Sequence, residues 1–333
     1  MSADLAIPAR SLPVSARAPG KCIVFGEHAV VRGAPELSLA IDLHTQVVVA
    51  PSDVLRLNGD AAAVAENPYL GPSLAAARGR SGPIDVRSVS RLPRAAGLGS
   101  SAAFVAALGA ALGAAEGGIE RAALAQRCFE VERAAQGVGS PGDTTTSVGG
   151  GYVALNAGAG AGPLLWTIAA GAERWEVRRA PDPGWVWVVA YSGIRRSTAE
   201  AVRAVTARLE RPDGPALLAR FAEVARAGIA AVAAGDREAA GRQMVANQEL
   251  LREVGVSHPR LEALLEAAAP AALGAKLTGA GRGGSIVVLP VPGREVELVR
   301  RLARAGAVPF PVRAAPGVTL VEPGAETAPT EAP

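Results

Sequence analysis

A glycine-rich segment that runs directly into an apolar, alanine-rich stretch constrains this chain more than any other feature of its sequence. Residues 93–103 read PRAAGLGSSAA, and small apolar residues continue as far as Ala115. This pattern predicts a tight turn that opens a helix, whose first backbone N–H groups are free to bind a ligand. The positive end of the helix dipole favours an anion such as a phosphate. An ordinary glycine-rich turn with a serine N-cap is the alternative, and a Walker A loop is excluded because no Gly-Lys-Ser/Thr ends the segment.

The composition predicts a globular chain with a large core and excludes several other classes of protein. Hydrophobic residues make up 49% of the 333 residues and charged residues 20%, which favours packed domains over disorder. The net charge is only +3, and no run of like charges marks a nucleic-acid tail or a membrane-binding patch. We therefore expect neither a nucleic acid nor a membrane as a partner.

The cysteines and the first residues of the chain predict a cytoplasmic protein. Cys22 and Cys128 both lie in apolar contexts, which favours two reduced core thiols, although the sequence leaves a single disulfide open. The N-terminal residues lack the apolar segment of a signal peptide. The apolar run at residues 102–115 is too short and too rich in Ala and Gly to span a bilayer.

Hydrophobic periodicity predicts an α+β architecture, because the runs of strands and helices do not follow a regular βαβ repeat. Strands are predicted at residues 21–25, 38–50, 54–57, 84–89, 149–155, 185–190, 285–289 and 318–321. Helices are predicted at residues 101–115, 120–136, 199–209, 216–234, 237–254 and 294–305, with a shorter helix after Ser257. A Pro/Gly-rich stretch indicates a domain junction near residues 172–184, and the tail 322–333 is expected to be disordered.

Two further segments carry chemically informative residues. Residues 276–284 read KLTGAGRGG and form a second glycine-rich turn before an apolar strand, although an ordinary connecting loop can have the same composition. Residues 19–31 place Lys21, Glu27 and His28 around one apolar strand. Burying charge is costly unless the charge is paired or functional, so these three residues need a partner or a role.

The order of these three segments resembles that of the GHMP kinases, a family of small-molecule kinases. Residues 19–31, 93–103 and 276–284 match the three signatures of that family in order. The resemblance covers roughly residues 17–321. Alone, each segment has an ordinary structural explanation, and it is their order that indicates the family.

Within this family the chain is most similar to the mevalonate kinases. The similarity lies in GEHAVV at residues 26–31, RST at residues 196–198, and the segment at residues 247–259. Asp143 followed by Thr144 resembles the archaeal branch, since many other relatives have Asn after the aspartate.

The resemblance implies a two-domain α+β fold. An N-terminal domain with a left-handed βαβ unit is expected over residues 1–176, and a ferredoxin-like C-terminal domain over residues 177–321. ATP and the substrate are expected in the cleft between them.

The resemblance also implies roles for individual residues. Asp143 matches the catalytic aspartate of the family and Lys21 its active-site lysine. Glu132 and Ser101 match the residues that bind Mg²⁺, with Ser100 as the alternative serine. The expected ATP-binding residues are Pro93, Arg94, Ala95, Ala96, Gly97, Leu98, Gly99, Ser100, Ser101 and Ala102. The expected substrate-binding residues are Lys21, Glu27, His28, Asp143, Arg196, Thr198, Gly279 and Ala280. Without the resemblance, Glu132 would be a solvated helix residue and Asp143 a turn residue.

The implied function is ATP-dependent phosphorylation of the 5-hydroxyl of (R)-mevalonate, with ATP and Mg²⁺ as cofactors. The alternatives are another GHMP kinase, acting on phosphomevalonate, the 3-hydroxyl of mevalonate or a sugar, or a catalytically inactive relative that binds small molecules. The sequence leaves open whether the chain forms a homodimer. Two departures from the family pattern are Ala95, where many relatives have Gly, and Gln136, where a His is common.

Overall fold

The computed structural model of this chain describes residues 6–77, 82–137, 139–195 and 198–322, with the backbone alone described at 198–200. Within those ranges the strands are β1 (Ala6–Pro8), β2 (Val14–Phe25), β3 (Glu36–Pro51), β4 (Arg56–Leu57), β5 (Ile84–Ser90), β6 (Gly118–Glu120), β7 (Tyr152–Leu155), β8 (Leu164–Ala170), β9 (Glu173–Ala180), β10 (Trp187–Tyr191), β11 (Ala272–Thr278), β12 (Ser285–Pro290), β13 (Val308–Val312) and β14 (Thr319–Val321). The α-helices are α1 (Ala63–Glu66), α2 (Leu70–Ala76), α3 (Ser100–Ala115), α4 (Arg121–Gln136), α5 (Gly142–Gly149), α6 (Thr198–Leu209), α7 (Gly214–Ala234), α8 (Arg237–Glu253), α9 (Pro259–Ala268) and α10 (Glu295–Arg304). The disorder predicted for the tail concerns residues that lie almost wholly outside these ranges.

The long strand β3 organises the larger sheet. It pairs antiparallel with β2 along most of its length, while β7 and β5 pair with opposite ends of its other edge. The strand order is β14-β2-β3-β7-β9-β8, with β5 and β4 branching from β3. Because Val, Ile and Leu recur along β2 and β3, both strands fit a sheet whose face is buried. The sheet therefore places the end of β2 and the start of β3 side by side.

Helix α3 is the core helix of this larger sheet. From Ala102 to Ala114 every residue except Gly109 is buried, and the helix packs against β2, β3, α4 and α5. A helix that is apolar on all sides belongs in a protein interior or a membrane. The small side chains of α3 allow its neighbours to approach closely, so this stretch is the centre of the core. Among the described residues, no helix combines the length and apolar character that crossing a membrane requires.

The smaller sheet is antiparallel, with the strand order β11-β12-β10-β13. Helices α9 and α10 pack against it, and α8 packs on β11 while also reaching β2 of the larger sheet. Helix α7 lies beside α8 and contacts β2 and β3. The two sheets are therefore joined through α7 and α8 as well as through the chain itself.

The predicted elements and the structure differ at several places, and three of these affect the description of the two domains. The strand predicted at 149–155 begins only at Tyr152, because the preceding residues form α5, in which the Thr145 hydroxyl donates to the Pro141 carbonyl at 2.7 Å. The hairpin of β8 and β9 was not predicted, since β8 is partly exposed and β9 carries many charged residues. The expected boundary after residue 176 falls inside β9, which pairs with β7.

Strand β9 belongs to the larger sheet, and the next strand, β10, belongs to the smaller one. Strand β14, near the end of the described chain, pairs with β2 of the larger sheet. We therefore propose that the domain boundary lies at residues 181–186, with β14 belonging to the N-terminal domain. Both cysteines are buried and unpaired, as the sequence predicted.

Gly228 in the middle of α7 provides a test of the packing between α7 and β2. A Cβ at this position would lie 2.5–2.7 Å from three ring atoms of Phe25. Alanine normally stabilises a helix by about 0.5–1 kcal/mol relative to glycine, but overpacking costs about 1–3 kcal/mol. We expect Gly228→Ala to lower the free energy of unfolding in urea titrations.

Gly71→Ala is the matched control, since Gly71 lies in α2 and a Cβ added there would enter open space. This variant should be no less stable than the parent chain. Adding Phe25→Leu to Gly228→Ala should recover part of the loss. Equal stability of Gly228→Ala and Gly71→Ala would contradict the packing described here.

Candidate active site

A large cleft opens beside the glycine-rich segment that precedes α3. Its volume is about 790 Å³, and residues 93–101 form part of its wall together with Tyr69, Ser88, Ser90 and Gln136. This volume falls in the range of about 300–1,000 Å³ that is typical of small-molecule sites. The sequence-predicted ligand loop therefore lies on a cleft of suitable size.

The backbone of this loop is fixed by both sheets. The Lys21 amide in β2 donates to the Leu98 carbonyl at 2.9 Å, and the Ser285 hydroxyl in β12 donates to the Ala96 carbonyl at 2.8 Å. Gly99 adopts φ 72° where it caps α3, a conformation that favours glycine. Ala95 adopts φ 57°, a left-handed conformation that costs about 1 kcal/mol without glycine.

The start of α3 presents the two serines of the loop to the cleft. Ser100 and Ser101 are half-buried and line it, so their hydroxyls and the first amides of a sixteen-residue helix face the same space. Ala102, which the resemblance placed among the ATP-binding residues, is fully buried against the core and does not line the cleft. Its side chain serves packing, since the helix turns it inward at that position.

Lys21 and Asp143 form an ion pair beside the loop. Lys21 Nζ lies 2.7 Å from Asp143 Oδ1 and 3.5 Å from the Gly97 carbonyl oxygen. The Lys21 side chain is 1% exposed, whereas that of Asp143 is 28% exposed. Asp143 lies in the first turn of α5, where the helix dipole stabilises a carboxylate. The structure thus brings together the two residues that the resemblance assigned to catalysis.

Glu36 at the start of β3 is a third charged residue in this region, and the sequence pattern did not identify it. It is fully buried, and its Oε1 accepts a hydrogen bond from the Ser38 hydroxyl at 2.9 Å. The pKa of Glu36 is raised to about 8, mainly because burial removes the hydration of the carboxylate and also because Asp143 is negatively charged nearby, while Lys21 opposes the shift. The sequence feature that could have identified Glu36 is an acidic residue at the start of a strand of Leu, Ala and Ile.

Glu27, which the resemblance implied as a substrate contact, lies in a buried ion pair. Its carboxylate is fully buried and forms an ion pair with Lys276 in β11, whose Nζ also donates to the Leu277 carbonyl at 2.7 Å. Burial raises the pKa of Glu27 and lowers that of Lys276, because both lose their hydration, while their mutual attraction opposes both shifts. The pair connects the two sheets, which gives Glu27 a structural role, and its contact with a substrate stays a prediction.

His28 and the second glycine-rich turn do meet, as the sequence suggested. The His28 Nε2 lies 3.0 Å from the Ala280 carbonyl oxygen, and because a carbonyl only accepts, this nitrogen carries the hydrogen. Next to it, the Thr278 hydroxyl donates to the Ile23 carbonyl at 3.0 Å and accepts from the Ile23 amide at 2.8 Å. These bonds hold the turn that contains Gly279 and Ala280 against the end of β2.

Glu132 lies at the rim of the same cleft. It is half-buried in the last turn of α4, and the Gln136 side chain, which lines the cleft, donates to its Oε1 at 3.5 Å. Within the described ranges no group of three or more His, Cys, Asp or Glu side chains could hold a metal ion. A metal at this position would therefore need ligands from a bound substrate in addition to Glu132 and Ser101.

Two of the expected substrate residues fall where the structure gives no side-chain information. Arg196 lies outside the described residues, and Thr198 begins α6 with only its backbone described. Their roles stay predictions. Lys276, Ser285 and Glu36 were not singled out as site residues by sequence reasoning, because their partners come from distant segments.

Models of the GHMP kinase family match both halves of the chain. The N-terminal domain model of that family matches residues 62–151, and the C-terminal model matches residues 229–308. The mevalonate kinase of Methanothermobacter thermautotrophicus is 33% identical over 303 residues, which cover 87% of this chain and 94% of that protein.

Solved structures of the same family share the fold. The crystal structure of L. major mevalonate kinase in complex with R-mevalonate matches with a TM-score of 0.74 at 23% identity, over 92% of this chain and 99% of that one. Lactococcus lactis galactokinase complexed with galactose matches with a TM-score of 0.73 at 18% identity, over 92% and 95%. The predicted two-domain α+β fold is confirmed, and the nearly equal scores show that the fold alone does not select the substrate.

The buried Glu27–Lys276 pair yields a test of its structural role. Lys276→Met leaves the Glu27 carboxylate buried without a partner, which typically costs about 3–5 kcal/mol of unfolding free energy. Replacing both residues in Glu27→Gln/Lys276→Met should recover most of that loss. Urea denaturation measures both changes.

Arg10→Met is the control for removing one partner of an ion pair. Arg10 pairs with Glu322 at the surface, where their side chains are 51% and 73% exposed, so its loss should change stability little. A Lys276→Met variant as stable as Arg10→Met would show that the Glu27 carboxylate is solvated, which would favour its predicted contact with a substrate.

Proposed function

Because the chain belongs to the GHMP kinase family, we propose that it is a mevalonate kinase, which transfers the γ-phosphate of ATP to the 5-hydroxyl of (R)-mevalonate. The relative from Methanothermobacter thermautotrophicus that carries this name aligns over 94% of its length. The observation that supports the reaction chemistry is the Lys21–Asp143 ion pair beside the phosphate loop. The products are ADP and 5-phosphomevalonate.

Asp143 is the catalytic base of this proposal. Its partly exposed carboxylate accepts the proton of the 5-hydroxyl as the hydroxyl oxygen attacks the γ-phosphorus, and the bond from that phosphorus to the β–γ bridging oxygen breaks. Lys21 holds the Asp143 carboxylate in a fixed orientation. Its ammonium, largely shielded from water, also stabilises the charge that develops on the transferred phosphoryl group.

The loop at residues 93–101 binds the ATP phosphates in this proposal. The amides and hydroxyls at the start of α3 face the cleft, and the helix dipole favours the negative charge. Hydrogen bonds to Lys21 and Ser285 fix the loop before ATP arrives. A loop held in this way loses little conformational freedom when it binds phosphate.

The donors at the cleft rim fit Mg²⁺. Ser101 and Glu132 offer a hydroxyl and a carboxylate, the hard oxygen ligands that this ion takes alongside phosphates and water. Bound there, Mg²⁺ would neutralise charge on the ATP phosphates. Gln136 holds the Glu132 carboxylate at the rim and so keeps one of the two ligands in position.

Mevalonate lies on the other side of Asp143 in this proposal, near His28 and the turn of Gly279 and Ala280. The hydrogen bond from His28 to the Ala280 carbonyl supports this placement, because it joins the two segments that would enclose the acceptor. Arg196 and Thr198 complete the substrate site as sequence predictions. A cytoplasmic location and a homodimer are further predictions, which cell fractionation and light scattering would test.

Substrate choice is tested by ADP release from a panel of acceptors. We expect mevalonate to give by far the highest kcat/KM among mevalonate, phosphomevalonate, homoserine and galactose, because the sequence similarity selects mevalonate kinases. The Asp143→Asn variant serves as the blank for contaminating kinases. Turnover of phosphomevalonate or galactose with mevalonate inert would overturn the assignment.

Asp143→Asn tests the base. The amide keeps the size of the side chain but cannot accept the proton, so kcat should fall by about 10²–10⁴-fold. ATP affinity by calorimetry should change little, since the loop is untouched. The control is Asp182→Asn at an exposed loop position, which should keep full activity. Near-parental kcat in Asp143→Asn would remove the base role.

Glu132→Gln tests the proposed metal ligand. Replacing an anionic ligand by a neutral one should raise the Mg²⁺ concentration needed for half-maximal activity while the fold survives. Glu130→Gln, two residues away on the exposed face of α4, should leave the Mg²⁺ titration unchanged. Identical titrations for the two variants would make Glu132 a surface residue.

A further inference from the structure

Glu36 is a buried carboxyl group that the proposed reaction does not use. Its Oε1 accepts a hydrogen bond from the Ser38 hydroxyl, whereas its Oε2 is buried without a hydrogen-bond partner among the described residues. A carboxylate needs several hydrogen bonds to replace lost hydration. The surroundings of Glu36 provide one, so they favour the neutral acid.

Glu36 also lies directly behind the catalytic pair. Gly142, the residue before Asp143, packs against the Glu36 carboxyl so closely that a Cβ at position 142 would overlap Oε1. The first turn of α5 therefore rests on Glu36. Any change in the charge of that carboxyl acts on the backbone and the electrostatic field that orient Asp143.

From this geometry we propose that Glu36 is a positioning residue, which must stay neutral for Lys21 and Asp143 to act and whose deprotonation lowers turnover. The inference rests on the proposed catalytic function of that pair. It adds a group that touches neither ATP nor the acceptor.

The charged groups that act on Glu36 come from four neighbouring segments, one of which is β11, whose Lys276 favours the ionised form of Glu36. Asp143 approaches from α5, and Lys21 and Glu27 approach from β2 and the turn after it. Strand β7 contributes the apolar Leu155 opposite Glu36 in the register. Burial and the two other acids favour the neutral form of Glu36, and Lys21 with the Ser38 hydroxyl favours the ionised form.

The balance between these groups decides what deprotonation does. With Glu36 neutral, one ammonium faces one carboxylate, and Lys21 is held on Asp143 at 2.7 Å. With Glu36 ionised, two carboxylates compete for the same ammonium and the cleft becomes more negative. Lys21 is then less available to the transferred phosphoryl group, and the tetra-anionic ATP is repelled.

The experiment is the pH profile of kcat/KM for the purified full chain with saturating ATP and Mg²⁺. The parent chain should lose half of its maximal value near pH 8, where the pKa of Glu36 lies. Glu36→Gln keeps the shape of the side chain but cannot ionise, so its profile should stay flat through that range. Glu223→Gln, exposed on α7, is the matched control and should behave like the parent chain.

Ser38→Ala gives a second, opposite readout. Removing the hydroxyl takes away the hydrogen bond that stabilises the ionised form of Glu36. The alkaline loss of activity should therefore move to higher pH instead of disappearing. A structural defect would lower activity at every pH and would not shift the profile.

Thermal melts test the ionisation independently of catalysis. The pKa of Glu36 lies above its ordinary value of 4.5, so its contribution to stability is complete below that pH and is lost as the pH rises to about 8. As the pH rises from 4.5 to about 8, the melting temperature of Glu36→Gln should therefore rise relative to that of the parent chain. The melting temperature of Glu223→Gln should change with pH in the same way as that of the parent chain.

The outcomes separate this inference from the proposed function. Melts that diverge as expected in a chain inert toward mevalonate would overturn the proposed function, and the positioning role with it, while the buried acid itself would be established. An active parent chain whose pH profile is unchanged by Glu36→Gln would overturn the positioning role alone. Parallel melts for Glu36→Gln and Glu223→Gln would show that Glu36 is ionised throughout.

Discussion

The close approach of β2 to the phosphate loop is the contact on which the rest of the site depends. The Lys21 amide binds the Leu98 carbonyl, and Gly99 has no side chain, which leaves room for the methylene stem of Lys21. A Cβ at position 99 would lie 2.8 Å from Lys21 Cγ. Because the stem passes there, Nζ reaches both the Gly97 carbonyl and Asp143. One residue thus joins the sheet, the loop and α5.

The buried charges around this contact are tolerated for two different reasons. Glu27 has a partner in Lys276, and the attraction between the two ions offsets part of the cost of removing both from water. The pair also connects the turn after β2 to β11. Glu36 forms no such ion pair among the described residues and instead gives up its charge near neutral pH. The Glu27–Lys276 ion pair fixes the position of the two sheets relative to each other, together with the two hydrogen bonds between Thr278 and Ile23. The raised pKa of Glu36 places a carboxyl group that responds to pH next to the first turn of α5, which carries Asp143.

The sequence predicted the parts of this site that depend on local pattern. The glycine-rich loop entering an apolar helix predicted α3, and the family resemblance assigned both Lys21 and Asp143, which the structure brings together, to the active site. Glu36 was missed because its burial depends on β7 on one side and α5 on the other, which no local window reports. The ion-pair partner of Glu27 was missed for the same reason, since Lys276 lies near the other end of the chain.

The two halves of the cleft are built differently, and this explains how one fold can serve different acceptors. The proposed phosphate side is fixed by two hydrogen bonds to the loop backbone, one from the Lys21 amide of the larger sheet and one from the Ser285 hydroxyl of the smaller sheet. The proposed acceptor side consists of turns: His28 at φ 63° and the glycine-rich turn that holds Ala280. Substitutions in these turns can alter the acceptor without disturbing the loop or Lys21. The galactokinase and mevalonate kinase structures match the chain nearly equally well, so the fold that they share does not distinguish one acceptor from another.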